Sequence, residues 1–425
     1  MRFSSAGRLP GGRTLLSLPF LIIAALLIVG LSHGCSSQAD IRASKFKDLC
    51  KADKMSELVT YCDECLKEAP GDAETYAYRA FAELALGKKE AAKADMQKAL
   101  SISPEVGWYH REMGNIYLYC GENKEALSSL LEAKRLLGDS ASLYSVYSGL
   151  AVANERLGNF AEAIRNATES LRLRPEQKYT YETRAMAYLY SYELDKSLAD
   201  SAKGISLNRD NPTIYTVHGW ASLLKGDMKT AKTDCSIALS LNPKCWQAAD
   251  LEMAICLFEG DYSGAVKVAE RSIAQYPDAA QGYASKSDCL FIMKDFKQAG
   301  QFADKAMELE PASVRAICAA LVVKSQAGEA SNSDALLKKL EKHDSSVILK
   351  RERARSLFFL GKYQEAVYQC TEAIAVDEHN PTSYRLRAEA LRRLGRKQEA
   401  ERDMKEAYER GYPKNALLDL FLRAV

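Results

Sequence analysis

The chain has 425 residues, of which 47% are hydrophobic and 27% are charged, and this composition excludes a chain that is disordered throughout. Its 58 Lys and Arg residues balance 56 Asp and Glu residues, for a formal net charge of +2. A dedicated nucleic-acid binder would carry a large basic excess, so nucleic acid is not expected among the partners. The length allows two or three globular domains or one long array of repeats.

Residues 1–34 are predicted to be a signal peptide or a membrane anchor. No acidic residue precedes Asp40, and three arginines (Arg2, Arg8 and Arg13) come before an apolar run of 17 residues, Leu15 to Leu31. A basic segment followed by an apolar run is typical of an export signal. The run is slightly shorter than the roughly 20 residues that a spanning helix needs, so a retained anchor is the alternative. In both cases we expect the arginines to stay in the cytoplasm and the rest of the chain to cross the membrane.

The end of this segment, Leu31-Ser-His-Gly-Cys35, resembles the lipobox of bacterial lipoprotein signals. Gly34 and Cys35 match the pattern, whereas Ser32 stands where Leu is expected and His33 stands where a small residue is expected. The resemblance implies lipid attachment at Cys35 and a short polar leader over residues 35–38. It also implies a location in the cell envelope, anchored on the extracytoplasmic side of a membrane. A plain signal peptide and a non-bacterial targeting segment are the further alternatives.

Residues 39–414 are predicted to be one array of repeats with a period of about 34 residues. A glycine lies five residues before most of the recurring small residues, but Tyr192 and Lys294 take its place in two copies. A tight turn at that glycine would join two helices, A and B, and prolines at the copy boundaries would end helix B. The small residues that mark the period are Ala92, Ala126, Ala163, Ser197, Ala231, Ala265, Ala299, Ser333, Ala366 and Ala400.

These copies resemble tetratricopeptide repeats. The copy that starts at Pro212 has the family's aromatic, glycine, small-residue and proline positions, for example at Tyr215, Gly226, Ala231 and Pro243. The resemblance implies an all-α fold, a right-handed α-solenoid of about eleven helix-turn-helix repeats. The last eleven residues, 415–425, are expected to form a C-terminal capping helix over the exposed apolar face of the last repeat.

No motif of the sequence predicts catalysis. Cys62 and Cys65 have the spacing of redox and zinc sites, but a second such pair is absent and both fall at helix B packing positions, so we interpret them as core residues. The five histidines form no His-Glu-x-x-His helix, and no phosphate-binding or nucleophile-elbow motif occurs. We therefore expect no enzyme activity, no cofactor, no metal and no small-molecule substrate.

The resemblance implies instead that a partner protein binds in a concave groove lined by helix A. Aromatic and arginine side chains are the usual anchors of interfaces, although some of these side chains could pack between copies instead. Trp220→Ala and Tyr190→Ala are expected to weaken partner capture and to change the melting temperature little. Arg111 and Asn115 partly imitate the carboxylate clamp of one family subgroup, which the next copies do not complete. The groove candidates are Trp108, Arg111, Asn115, Tyr119, Tyr179, Tyr190 and Trp220.

Together these patterns predict an exported, membrane-tethered protein–protein interaction scaffold. Ten cysteines besides Cys35 are unusual for an exported chain, since an oxidising compartment tends to pair them. One alternative is therefore a receptor on an organelle membrane that keeps its N-terminal anchor and faces the cytosol. A self-associating structural repeat protein is the other alternative.

Overall fold

A computed structural model describes residues 38–138, 142–343 and 347–412 of the chain, and these residues form 22 α-helices and no β-strand. The predicted signal segment over 1–34, Cys35 and the predicted capping helix over 415–425 lie outside the described residues. Within the described ranges, no helix is both long enough and apolar enough to cross a membrane.

The chain divides into two compact units, which are described separately. The first unit contains the described residues up to Arg156 together with Glu162–Thr180, and the second contains Leu157–Ala161 and the described residues from Tyr181 onward. The helices of the first unit are α1 (Gln38–Lys51), α2 (Met55–Glu68), α3 (Ala73–Ala85), α4 (Lys89–Ile102), α5 (Gly107–Cys120), α6 (Asn123–Leu137), α7 (Leu143–Arg156) and α8 (Phe160–Leu173), the last of which starts in the second unit.

Fourteen helices make up the second unit, and α9 starts in the first. They are α9 (Lys178–Tyr190), α10 (Leu194–Leu207), α11 (Pro212–Leu224), α12 (Met228–Leu241), α13 (Trp246–Phe258), α14 (Tyr262–Gln275), α15 (Ala280–Ile292), α16 (Phe296–Leu309), α17 (Val314–Gln326), α18 (Ala330–His343), α19 (Val347–Phe359), α20 (Tyr363–Val376), α21 (Pro381–Arg393) and α22 (Lys397–Glu409). The odd-numbered helices are the A helices and the even-numbered helices are the B helices of eleven pairs.

Local sequence sets where these helices begin. Asp227, Asp261 and Asp295 precede α12, α14 and α16, and each side chain accepts a hydrogen bond from a backbone amide of the first turn. Such an aspartate satisfies an amide that has no partner within the helix. Asn211 and Asn380 cap α11 and α21 in the same way, and a proline follows each of them at the first helical position.

The A and B helices of a pair pack closely because a small residue lies between them. Ala92 and Ala126 in the first unit and Ala231 and Ala265 in the second are fully buried. An A helix therefore packs against its own B helix, such as α5 with α6 and α11 with α12, and A helices of successive pairs also touch, such as α5 with α7 and α11 with α13. Within each unit we call the surface built by the odd-numbered helices the A-helix layer. The expected all-α solenoid of eleven repeats is confirmed.

A recurring polar contact also joins the two helices of several pairs. An arginine or histidine side chain on helix A meets an aspartate 16 residues later on helix B, and these aspartates are largely buried. The spacing is constant because both residues keep their place in the repeat. The pairs are Arg79 with Asp95 (2.6 Å), Arg184 with Asp200 (2.6 Å), His218 with Asp234 (2.7 Å) and Arg387 with Asp403 (2.7 Å).

The turn within each pair requires a left-handed backbone even where glycine is missing. Gly226 has φ of 86°, and the three described non-glycine turn residues, Asp53, Tyr192 and Lys294, have φ of 54°, 62° and 64°. An L side chain in this conformation costs about 1–2 kcal/mol because Cβ crowds the following carbonyl oxygen. The repeat geometry therefore imposes the turn on residues that disfavour it.

Replacing Lys294 by glycine is expected to raise the free energy of unfolding by about 1 kcal/mol, since the Lys294 side chain is exposed and only the backbone strain is lost. The reverse change at the same turn position, Gly226→Ala, is expected to lower it by about 1 kcal/mol. Urea denaturation followed by circular dichroism measures both. If Lys294→Gly is destabilising, the strain at this turn is smaller than the entropy that glycine adds to the unfolded chain.

Candidate functional site

Trp108 is the half-buried member of an aromatic cluster in the first unit. Its ring centroid lies 5.7 Å from that of Tyr78 and 4.4 Å from that of Tyr109. Both tyrosines are buried, with 2% and 4% of their surface exposed. Phe46 extends the cluster, with its ring 4.6 Å from that of Tyr78. Trp108 is therefore held by rigid neighbours while part of its indole stays accessible to a partner.

Asn115 and Tyr119 lie on the same face of α5 as Trp108. The three residues are spaced seven and four residues apart, which places their side chains in one stripe along the helix. All three are half-buried. The ammonium group of Lys89 lies 5.1 Å from the centroid of the Tyr119 ring. Three of the groove candidates thus form one continuous stripe on the A-helix layer of the first unit.

Arg111 does not join that stripe as an accessible anchor, which corrects the expectation from the sequence. Its residue surface is only 4% exposed, and its guanidinium lies 2.6 Å from a carboxylate oxygen of Glu112. The Asn115 amide donates to the other carboxylate oxygen at 3.2 Å. Because Glu112 neutralises Arg111 inside the unit, the guanidinium is not placed to bind the carboxylate of a partner.

Tyr179 belongs to the first unit and is also half-buried. The ammonium group of Lys178 lies 5.1 Å from the centroid of its ring. In the second unit, Tyr190 is half-buried and stacks on Phe160, with ring centroids 4.8 Å apart and planes inclined by 15°. Both tyrosines remain candidates for partner contact.

Trp220 differs from the expectation, because the structure places it in the core of the second unit. Only 4% of the residue is exposed, and it belongs to a buried apolar cluster that includes Leu189 from α9 and Leu251 from α13. The A helices of neighbouring pairs approach one another here and cover the indole. The assignment of Trp220 to a partner-binding groove is therefore wrong.

A largely buried polar cluster, which no motif in the sequence predicts, lies on three successive A helices of the second unit. Gln281 and Ser285 of α15 donate hydrogen bonds to the Asp250 carboxylate of α13, at 2.7 and 3.0 Å. Arg315 of α17 lies 3.0 Å from Asp288 and also donates to Ser285. We call these five residues the Asp250 cluster. Gln281 and Arg315 lie one 34-residue period apart, so they occupy the same position in successive repeats. An alignment of the repeats would have shown that these two polar residues lie on neighbouring A helices.

Burial raises the pKa of Asp250, while the charge of Arg315 and the hydrogen bonds from Ser285 and Gln281 act in the opposite direction. Over the described part of the chain, no group of three or more His, Cys, Asp or Glu side chains could hold a metal ion. The Asp250 cluster is thus a hydrogen-bonded ionic network that joins neighbouring A helices.

The variant Asp250→Asn is expected to change how the free energy of unfolding depends on pH. The raised pKa means that the folded state binds the proton more tightly than the unfolded state, in which the pKa of Asp is about 3.9. The stability from Asp250 is therefore complete below about pH 3.9 and is lost as the pH rises through the folded pKa. The difference in free energy of unfolding, wild type minus variant, should fall as the pH is raised above about 3.9 in urea titrations. A constant or rising difference would contradict this.

The ten described cysteines are free thiols, and eight of them are buried. Cys62 and Cys65 lie in an apolar cluster with Phe46 and Leu58, which confirms that they are packing residues. Burial raises the pKa of Cys50 to about 12 and also raises the pKa of Cys62. Since the thiolate is the reactive form, these buried thiols are chemically inert near neutral pH.

Three stretches of the chain match family models of the tetratricopeptide repeat, namely residues 73–106, 248–279 and 351–416. The chain therefore contains tetratricopeptide repeats, as the sequence predicts. This fold supports a protein-interaction scaffold.

Two relatives are proteins called DnaJ homologs. The chain is 24% identical over 394 residues to DnaJ homolog subfamily C member 3 of Gallus gallus, which covers 89% of this chain and 73% of that protein. It is 22% identical over 333 residues to the DnaJ homolog subfamily C member 7 homolog of Schizosaccharomyces pombe, which covers 72% of this chain. The match spans 64% of the length of that protein. Among solved structures, a tetratricopeptide repeat protein from Parabacteroides merdae is similar at 14% identity and a TM-score of 0.48, over 64% of this chain and 98% of that one.

Proposed function

We propose that this chain is an exported, membrane-tethered scaffold that binds a segment of a partner protein on its A-helix layer and performs no catalysis itself. The observation that carries the binding proposal is the stripe of Trp108, Asn115 and Tyr119 on α5. An accessible tryptophan on a rigid aromatic base is the type of residue that dominates interface energies. An amide beside it can hydrogen-bond the backbone of an extended segment.

Rigid support makes Trp108 a better anchor than an isolated surface aromatic. Tyr78 and Tyr109 fix one side of the indole, so little side-chain entropy remains to be lost when a partner covers the rest. The neighbouring Arg111–Glu112 pair brings no net charge to the surface. These features favour an apolar or aromatic side chain of the partner at this place.

The binding proposal is tested by replacing Trp108 with leucine and comparing the proteins that copurify with the full chain from its native cells. Trp108→Leu should deplete at least one abundant partner by about ten-fold or more, since a hot-spot residue contributes about 2 kcal/mol. Trp246→Leu is the matched control, because Trp246 is also half-buried on an A helix, in the second unit. Equal depletion by both variants, or by neither, would contradict the proposal.

The proposal of export and tethering is supported by the sequence of residues 1–35. Three arginines, an apolar run from Leu15 to Leu31 and the Gly34–Cys35 pair follow one another in the order of a lipoprotein signal. The burial of eight of the ten described thiols is compatible with export, because a buried thiol has little access to a pairing partner in an oxidising compartment.

Metabolic labelling with a palmitate analogue tests this part of the proposal. The native chain should take up label and Cys35→Ala should lose it. An unlabelled native chain with an intact N-terminus by mass spectrometry would contradict the lipoprotein and favour a retained anchor, including that of an organelle receptor. Sedimentation of the full chain tests the remaining alternative, because a monomer at high concentration excludes a self-associating structural protein.

A further inference from the structure

Two parts of the second unit that lie 190 residues apart in sequence are in direct contact. The side-chain amide of Asn380, just before α21, donates a hydrogen bond to the backbone carbonyl of Tyr190 at the end of α9, at 3.3 Å. Asn380 is 2% exposed. The same side chain accepts a hydrogen bond from the Thr382 amide at 3.0 Å and so caps α21. One residue therefore both starts a helix and bridges to a distant repeat.

The chain contains an internal comparison for this site. Asn211-Pro212-Thr213 and Asn380-Pro381-Thr382 are the same tripeptide at the same place in two repeats, and both asparagines cap their helix. The first tripeptide is half-buried, whereas all three residues of the second are buried. Because the local sequence and cap are the same, the extra burial comes from the tertiary surroundings of the second tripeptide, which include the Tyr190 segment that contacts Asn380.

That distant segment is the turn between α9 and α10, and its backbone is unusual. Tyr192 has the left-handed φ of 62° and is buried, with 7% of its surface exposed. One of its ring carbons lies 4.0 Å from the point where a Cβ on Gly411, just after α22, would be. Among the ten other repeats, the turn residue at the same place is buried in one, Gly158, and exposed in nine: Asp53, Gly87, Gly121, Gly226, Gly260, Lys294, Gly328, Gly361 and Gly395.

A bulky side chain in a strained backbone conformation points to a role for that side chain. The Tyr192 ring lies near Gly411, which follows α22, and the neighbouring Tyr190 carbonyl accepts a hydrogen bond from Asn380. The guanidinium of Arg410 donates to the Glu378 carbonyl at 2.8 Å, so the end of α22 and the segment before α21 are joined to each other. Tyr190 and Tyr192 therefore both approach the same pair of helices, α21 and α22.

We propose that these contacts form a clasp, made of Tyr190 and Tyr192 on one side and Asn380 and Gly411 on the other, which holds the second unit closed. The contacts of the clasp join the turn after α9 to the segment before α21 and the end of α22, and they are separate from the packing of each helix on its neighbours in the chain, such as α20 on α21. The clasp can therefore open while every helix stays folded, and opening separates α9 from α21. The clasp is independent of the proposed function.

Hydrogen–deuterium exchange on the full chain tests the clasp. Asn380→Asp keeps an oxygen that caps α21 but replaces the donor to Tyr190 with a carboxylate. Amides of residues 188–195, about 190 residues from the substitution, should exchange about five-fold faster, as expected for one lost hydrogen bond. Ser313→Asp is the control, because it places the same carboxylate at the N-cap of another A helix, α17.

A second variant keeps the test independent of the cap. Tyr192→Gly removes the ring and restores the usual turn residue, and it should accelerate exchange of residues 378–384. Lys294→Gly, the same change in the same turn of another repeat, should leave those amides at the wild-type rate. Circular dichroism must show unchanged helicity in each variant. The clasp would be overturned if residues 188–195 exchange at the wild-type rate in Asn380→Asp and residues 378–384 do so in Tyr192→Gly. It would also be overturned if Ser313→Asp and Lys294→Gly accelerate these same amides as much as the two test variants do.

Discussion

Trp220→Ala is expected to lower the free energy of unfolding of the second unit by about 3–5 kcal/mol, the usual cost of removing a buried tryptophan. The indole is 4% exposed and lies in a cluster that joins α9, α11 and α13. The variant leaves a cavity between three A helices, and the close-packed surroundings relax only partially to fill it. Urea denaturation followed by circular dichroism and by fluorescence measures the loss.

Tyr368→Ala is the control for this experiment. Tyr368 is 60% exposed, so its removal should change the free energy of unfolding by less than about 0.5 kcal/mol. A Trp220→Ala variant with the stability of wild type would show that the indole is not a core residue. The interpretation of Trp220 as a groove residue would then return.

The second large effect is expected for Glu112→Ala in the first unit. This change leaves the guanidinium of Arg111 buried without its carboxylate, which costs about 3–5 kcal/mol when a buried ion pair loses one partner. Asn115 also loses the oxygen to which its amide donates. Thermal and urea unfolding of the full chain should both show the loss.

Replacing both charged residues separates the ion pair from the packing around it. Arg111→Met combined with Glu112→Leu should recover most of the stability, since apolar residues of similar volume often replace a buried pair at little cost. A Glu112→Ala variant within about 0.5 kcal/mol of wild type would contradict the burial of the pair. A double variant as unstable as Glu112→Ala would show that shape, and not charge, is what the site requires.

The repeat architecture could be predicted because its signals are local and recur. Turn glycines and boundary prolines act on the backbone of their own residue, so each copy repeats the same evidence. Two repeats have Tyr192 and Lys294 in place of the turn glycine, and both residues still adopt the left-handed turn conformation that glycine has elsewhere. A 34-residue period therefore determines the helix pairs without knowledge of their neighbours.

The candidate site could be predicted only in part, because exposure on an A helix depends on the next A helix. Trp108 and Trp220 are the same residue on the same kind of helix, yet one is half-buried and the other lies in the core. The Asp250 cluster requires three successive A helices to be placed side by side before its members meet. The contact between Asn380 and Tyr190 spans 190 residues and leaves no signal in any single repeat.

The central claim is that partners bind on the A-helix layer, and site-specific photocrosslinking tests it most directly. A photoreactive phenylalanine derivative is placed at Trp108 on α5 or at Leu131 on α6, a B-helix residue that is 51% exposed. Irradiation of cells that express the full chain should give a discrete crosslinked product from position 108 and none from position 131. A product from position 131 alone, or equal products from both positions, would contradict binding on the A-helix layer.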